Sequence, residues 1–422
     1  MLAFRLEIVG ANAAIALEIR IVKNRRILFI TPKQPSTNPR MRKAAEALAR
    51  VGHTVHVLFA HGASWAAQSD GEIFQNSPCT WQKMGGDPDQ QKLRYLLSRV
   101  GRKMWELLGN VERSHCRSYG AYIREGIKWK PDLIIGHNPG ALGPLVELGA
   151  RLNVPILFDA EDFHRGEFDP EIQSKQSKDV AKLEHACIPK LTAATGASPL
   201  IVKAYEQLFL EISWTTVNNA FPSALMPSEP LHKSGPLKIV WFSQVVGLDR
   251  GLAEFLGGMA LTPEIPIDLT LVGAASEELK ATLSAEIQSY QHQITFKGPF
   301  PERELFKEIG NYEIGLALEV PKTQNRAICR TNKLYTYPLC GVHMLVSKTD
   351  AQIDFIQEFP DAGEMIDLEQ PHSIAHALNE AYQNRVALLK KRKAAWALGK
   401  TTLNWECESE ALIEVVGKII SA

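Results

Sequence analysis

Short apolar runs alternate with amphipathic stretches through most of the chain. Arg25-Arg26-Ile27-Leu28-Phe29-Ile30 reads as a buried strand behind a basic lead-in. The turn residues from Pro35 to Arg40 predict a loop. Met41 to Val51 then sets Ala44, Ala45, Leu48 and Ala49 on one helical face, and Gly52 ends it. Thr54 to Ala60 is the next strand. A strand–loop–helix–strand unit opens a parallel, doubly wound sheet, whose ligands sit at the carboxyl ends of strands. The loop from Ser36 to Arg40 is therefore expected to face a site.

From His61 to Asp89 the sequence is turn-rich and weakly periodic. Lys92 to Arg113 predicts an amphipathic basic helix, with Leu93, Leu96, Leu97, Val100, Met104, Leu107 and Leu108 against Lys92, Arg94, Arg99, Arg102 and Lys103. Two readings are open, a membrane-surface or acidic-acceptor face and a packed helix with a solvated basic side; the second is the ordinary pattern. Alternation resumes at Asp132 to Gly136, then His137-Asn138-Pro139-Gly140, a helix from Leu142 to Leu152 and a strand from Pro155 to Asp159. Asp159, Glu161, Asp162, His164, Arg165 and Glu167 follow one another just past that strand, where α/β enzymes build sites; a plain charged loop is the alternative. Helix Lys178 to Lys190, strand Leu191 to Thr195, helix Leu200 to Phe209 and strand Trp214 to Val217 complete the first half.

Phe221 to Gly235 carries Pro222, Pro227 and Pro230 and reads as a linker. The pattern then restarts. Strand Leu237 to Phe242 leads through Ser243 to Gly251 into a helix ending at Met259, and strand Ile267 to Val272 ends at Gly273. A helix from Ser276 to Tyr290, strand Ile294 to Lys297, helix Glu302 to Ile309 and strand Glu313 to Leu318 come next. Arg330 to Gly341 reads as a short helix capped by Thr331 and stopped by Gly341, feeding the buried strand Val342 to Ser347. Such a helix, opening on Asn332 and Lys333, offers amide N–H groups and a cation together, which suits a phosphate-bearing ligand. Helices run from His372 onward. Two α/β units in tandem place the expected site in the cleft between them.

Charge and cysteine content narrow the picture. Lys+Arg and Asp+Glu are both 47 in 422 residues, so no global charge argues for nucleic acid. The six cysteines show no metal-ligand spacing, which favours a reducing compartment and free, mostly buried thiols. No run reaches the length of a membrane span. Met1 to Lys23 mixes apolar residues with Arg5, Glu7, Glu18, Arg20 and Lys23; its apolar run is too weak and short for a cleaved signal peptide, and its role is undecided.

Several strings in order resemble one family: "TPKQPSTNPRMRKAAEALARVGHTVHVL", "PDLIIGHNPGALG", "VPILFDAEDFHRGE", "VNNAFP", "FSQVVGLDRGLAEF", "ITFKGPFPERELF" and "TNKLYTYPLCG". Together they resemble the two-domain GT-B glycosyltransferases, in particular the retaining family 4. The resemblance implies two tandem Rossmann-like domains. Residues 24–222 would form an acceptor domain, 223–236 a linker and 237–390 a nucleotide-sugar domain, with a helical tail over 391–422 packing back on the first. It implies that His137 contacts the transferred sugar and that Arg250 grips the donor diphosphate. Asn332 and Lys333 would open the helix facing that diphosphate, with Ser243, Gln244, Gly247, Gly273 and Thr336 also on the donor side. Arg40, Glu161, Asp162 and His164 are acceptor-side candidates.

The chain departs from the family pattern at Gln244, where a second basic residue is usual. Ile328 and Thr336 stand where two glutamates are usual, and the nearest upstream carboxylate is Glu319. Pro338 removes a helix hydrogen bond to Leu334 and predicts a kink. The implied activity is transfer of a hexose, with retention, from a nucleotide diphosphate sugar to a hydroxyl of a glycan or lipid-linked acceptor. That activity needs neither metal nor tightly bound cofactor, and it places the protein in polysaccharide biosynthesis in the cytoplasm. A peripheral contact with the inner face of the membrane through the basic helix 92–113 is the partner that the first of the two readings of that helix would add. The alternatives are a sugar-nucleotide epimerase on the same fold and a catalytically degenerate glycan-binding protein.

Overall fold

The structure, a computed structural model, describes residues 24–168, 175–286 and 291–421. The extension over 1–23 and the end of the helix expected over Ser276–Tyr290 lie outside the described residues. The chain divides into two compact units, one of residues up to Val217 together with those from Ser409, the other Asn218–Glu408.

The first unit runs β1 (Arg26–Thr31), α1 (Pro39–Arg50), β2 (Thr54–Ala60), α2 (Ala67–Asn76), β3 (Thr80–Met84), α3 (Lys92–Leu107), α4 (Val111–Ser114) and α5 (Tyr119–Trp129). It continues through β4 (Leu133–His137), α6 (Leu142–Leu152), β5 (Ile156–Ala160), α7 (Lys175–Cys187), β6 (Ala193–Gly196), α8 (Pro199–Leu208) and β7 (Trp214–Thr216). The strands form one parallel seven-stranded sheet in the order β3-β2-β1-β4-β5-β6-β7. Ile27 to Ile30, Ile134, Ile135, Leu157 and Phe158 are all buried, as parallel strands covered on both faces require. Strand order reverses between β1 and β4, which makes their carboxyl ends the switch point where ligands bind in such sheets.

The second unit runs β8 (Leu237–Val245), α9 (Leu252–Met259), β9 (Ile267–Ala274), α10 (Glu277–Glu286), β10 (His292–Lys297), α11 (Glu302–Ile309), β11 (Ile314–Ala317), α12 (Gln324–Ile328), α13 (Lys333–Leu339), β12 (His343–Val346), α14 (Asp350–Glu358), β13 (Gly363–Met365), α15 (Pro371–Gln383) and α16 (Arg385–Thr401). A last helix, α17 (Trp405–Ser421), begins in this unit, and its residues from Ser409 belong to the first, where Arg25 Nη2 donates to Ile420 O at 3.2 Å. The second sheet is parallel and six-stranded, β10-β9-β8-β11-β12-β13, with its reversal between β8 and β11. Alternate residues of its strands feed two cores. Ile239, Trp241, Leu269, Leu271 and Leu316 meet Leu252, Phe255, Ile374 and Leu378 on one face. Val240, Val272, Ala317, Met344 and Val346 meet Phe306, Tyr335, Tyr337 and Phe355 on the other.

The structure corrects four local expectations. The weakly periodic stretch after His61 folds into α2 and β3; β3 is an edge strand whose residues are mostly half-buried, so it carries no strong apolar alternation. The basic helix ends at Leu107 rather than Arg113, and its apolar side is not packed: none of its residues is buried. The cap of α13 is Asn332, not Thr331. Pro338 lies one residue from the end of α13, so the bond it forfeits belongs to the last turn, and Gly341 follows in the left-handed conformation (φ 64°) that stops the helix. All six cysteines are free; four are buried, Cys329 is half-buried and Cys407 exposed.

Candidate functional sites at the two switch points

In the first unit the carboxyl ends of β4, β5 and β6 and the first turn of α1 converge on Asp159. Arg40 Nε donates to Asp159 Oδ2 at 2.7 Å and Nη2 to Oδ1 at 2.6 Å, a bidentate pair, while its Nη1 donates to Val217 O at 2.6 Å. Thr195 Oγ1 adds a bond to Asp159 Oδ1 at 2.6 Å. His137 Nδ1 stands 3.0 Å from Asp159 Oδ2. Arg40, His137, Asp159 and Thr195 are all buried. Burial alone would raise the Asp159 carboxyl, but the Arg40 charge and the hydrogen bonds from Arg40 and His137 outweigh it and hold the group well below the usual carboxylate range.

His137 is thereby oriented on both sides. Its Nδ1 faces a carboxylate that accepts, and its ring stacks on Phe29 with centroids 5.6 Å apart. Its Nε2 is buried without a hydrogen-bond partner. A histidine fixed through one nitrogen leaves the other defined in role, here an acceptor offered to a ligand hydroxyl. Beside it, Asn38 Nδ2 bonds Asn138 Oδ1 at 2.9 Å and Thr31 Oγ1 at 3.2 Å, which ties the loop before α1 to the turn after β4. Asn138 holds a φ of 67°, a conformation rare for residues other than glycine and concentrated at functional turns.

Of the acceptor-side candidates, Arg40 is corrected. Its guanidinium is spent on Asp159 and Val217, so it is a positioning residue and not a ligand contact. Glu161 is half-buried near the Asn138 amide, 3.4 Å from Nδ2, and near Lys33 at 3.9 Å. His164 is buried; its Nδ1 pairs with Glu167 at 2.6 Å and its Nε2 has no partner. Burial works to lower the His164 pKa, but the Glu167 and Asp162 carboxylates outweigh it and raise it. Asp162, His164 and Glu167 present ligand atoms within 4.8 Å of one another. The close His164–Glu167 bond satisfies that pair as a hydrogen bond.

In the second unit the switch point holds a charge cluster. Glu319, two residues past β11, is buried, and its Oε1 has no hydrogen bond. Lys333 Nζ lies 3.6 Å from it and Arg250 Nη1 3.8 Å, near enough for attraction and too far for a good hydrogen bond. Lys333 is buried with its ammonium 5.2 Å from the Trp241 ring centroid. Burial pushes the Lys333 pKa down; Glu319 pulls against that, and the Arg250 charge adds to it. Two cations thus share one carboxylate. The excess positive charge and unused donors suit an anion.

The loop carrying Arg250 is shaped by two glycines. Gly251 starts α9 at φ 82°. Gly273, one residue before the end of β9, has φ 143°, and a Cβ there would sit 2.3 Å from Ser243 O, so the β8 and β9 ends approach as only glycine allows. The β8–β9 register shifts between Phe242 and Val245, a bulge that re-aims the strand end holding Ser243 and Gln244. We expect Gly273→Ala to cost about 1–3 kcal/mol and to displace this loop; an unchanged melting temperature would remove the constraint.

Gln244 is exposed and Ser243 and Gly247 are half-buried beside this loop. Asn332 is held by the Asn219 amide, Nδ2 to Oδ1 at 3.0 Å. Thr336 is corrected: it is buried, and its hydroxyl donates to Asn332 O at 3.0 Å within its own helix, so it is not placed to take the role of the missing glutamate. Helix α13 has only seven residues, so its charged neighbours matter more than its dipole. Reading the sequence missed the weight of Asp159 and Glu319 as the centres of the two clusters.

No described protein family matches the sequence, and no curated protein matches it. Solved structures do match the fold. The HepE protein of Anabaena, solved in complex with UDP-glucose, is 12% identical with a TM-score of 0.65, covering 94% of this chain and 100% of that one. A glycosyltransferase from Rickettsia africae is 13% identical at 0.67, covering 94% and 99%. A sucrose-phosphate synthase from Thermosynechococcus elongatus is 14% identical at 0.64, covering 94% and 100%. With its two parallel sheets, the chain has the GT-B fold.

Proposed function

We propose that this chain is a glycosyltransferase that moves a hexose from a nucleotide diphosphate sugar to a hydroxyl of a glycan or lipid-linked acceptor, with retention, as in family 4. The observation that carries the reading is the Arg250–Lys333–Glu319 cluster, a carboxylate outnumbered by cations at the switch point of a Rossmann-like sheet. The HepE structure, with UDP-glucose bound on the same fold, supports a nucleotide sugar as the donor.

In this reading the bond from the anomeric carbon to the β-phosphate oxygen breaks as negative charge builds on the leaving diphosphate. The Arg250 fork and the Lys333 ammonium stabilise that charge. The acceptor oxygen bonds the anomeric carbon from the same face, and its proton passes to the leaving phosphate. His137 Nε2, held by Asp159, accepts from a sugar hydroxyl. The reaction so written needs no metal and no tightly bound cofactor.

Thermal stabilisation by UDP-, GDP-, ADP- and dTDP-sugars tests the reading. A ligand at a hundredfold excess over its dissociation constant should add about 2.7 kcal/mol to stability. A shift with one nucleotide class supports the transferase and names the base. No shift in a well-folded sample favours a non-catalytic glycan binder, the reading that Gln244 and the loss of the paired glutamates favour.

A further inference from the structure

Helix α3 is built inside out for a surface helix. Leu93, Leu96, Leu97, Val100, Met104 and Leu107 recur at three- and four-residue spacing and so share one face. All of them are exposed, Leu93 by 72% and Leu107 by 79%. The side that meets the rest of the unit is the opposite, polar–aromatic one. There the Arg117 guanidinium lies 4.6 Å from the Tyr95 ring centroid and 3.3 Å from Ser98 Oγ, and Arg113 lies 4.6 Å from the Trp105 ring. An amphipathic helix normally turns its apolar stripe inward. Among the described residues nothing covers this one.

Charge says what does. On the helical wheel Lys92, Arg99 and Lys103 border the stripe on one side and Arg94 on the other, all exposed. The one carboxylate of the helix, Glu106, is engaged by Lys103 at 3.1 Å and Lys175 at 3.5 Å. Behind the helix a cavity of about 300 Å³ is lined by Arg94, Arg102, Trp105, Ser118 and Arg124, and the Ser118 hydroxyl there has no hydrogen-bond partner. We propose that α3 docks on a bilayer surface containing anionic lipids, its leucine stripe lying among the upper acyl chains and its bordering cations meeting headgroup phosphates. A second copy of the chain is a poor occupant, because stripe-to-stripe packing would bring the same cations together with no free carboxylate to answer them. No described helix is long and apolar enough to cross a membrane, so this contact lies on the surface. It does not depend on the donor chemistry proposed above.

The test is sedimentation of the full chain with vesicles of phosphatidylcholine, with and without about one third phosphatidylglycerol. We expect binding to the anionic vesicles, weakened by salt, and little to phosphatidylcholine alone. Lys92→Gln with Arg94→Gln should weaken binding about 30-fold, since each basic residue near an anionic surface is worth about fivefold. Val100→Asp with Leu107→Asp should abolish binding and leave the melting temperature unchanged, because both side chains are exposed. Absence of wild-type binding, binding indifferent to lipid charge and salt, or full binding by the aspartate variant would each overturn the proposal. So would a dimer, seen by light scattering, that the aspartate variant dissolves while vesicle binding is absent.

Discussion

Asp159→Ala should destabilise the protein by about 3–5 kcal/mol, because it leaves the Arg40 guanidinium buried without its counter-ion. The pair is bidentate and closed off: Arg40 gives two hydrogen bonds to the carboxylate and a third to Val217 O, and Thr195 takes another acceptor site. Arg40 is itself buried, 2% exposed, so its charge is left without water as well as without its partner. Asp159→Asn keeps the shape and loses the charge, so it should fall between wild type and alanine. The sign of the pH effect follows from the direction of the carboxyl shift. Its folded-state pKa lies well below the unfolded value of about 3.9. Its stabilisation is therefore complete above the unfolded pKa and is lost as the pH falls through the folded one. Wild type should lose this contribution on acidification and the alanine variant should not, so their stabilities should converge in acid. Urea denaturation at several pH values measures this; a gap independent of pH would sink the account. The alanine variant should also lose transfer activity, since His137 would no longer have an acceptor fixing Nδ1; the asparagine variant keeps one acceptor oxygen and should lose less.

The sheets were legible because parallel strands buried on both faces leave near-continuous apolar runs, as at Ile27–Ile30 and Ile239–Trp241. Edge strands leave less: β3 has one buried residue in five and β13 is three residues long. The helix over 92–107 was legible as a helix, but its orientation was not. Periodicity fixes which residues share a face; it does not say whether that face meets the protein or something else. The sites show the same divide. His137 and Lys333 stand out as chemistry-bearing residues at strand and helix ends. That Arg40 is consumed by Asp159, and that Thr336 bonds back to its own helix, depends on rotamers and neighbours more than a hundred residues away in the first case and on local geometry in the second. Asp159 reads in sequence as one acid among four. Only burial beside Arg40 makes it the centre of its cluster.

Arg250→Ala should lower transfer about 10²- to 10³-fold, on the scale of removing one donor that stabilises transition-state charge, and should leave the melting temperature near that of wild type. The two halves of that expectation have separate grounds. Arg250 is more than a third exposed at its side chain, and its approach to Glu319 is 3.8 Å, so little structure rests on it. Removing it leaves Glu319 facing Lys333 alone at 3.6 Å, a neutral buried pair. Lys333→Ala is the worse probe for the opposite reason: it deprives a buried carboxylate of its nearest cation and would confound folding with function. The activity loss should fall on kcat more than on KM, because the charge Arg250 meets is greatest when the diphosphate is leaving. Arg250→Lys separates charge from geometry. If the two-pronged fork matters, lysine should recover only part of the rate, since an ammonium cannot form the paired bonds to phosphate oxygens. Steady-state kinetics with the donor identified by thermal shift decides between these outcomes. Full activity in the alanine variant would take Arg250 out of the mechanism, and with it the argument that two cations set against one carboxylate mark the diphosphate site.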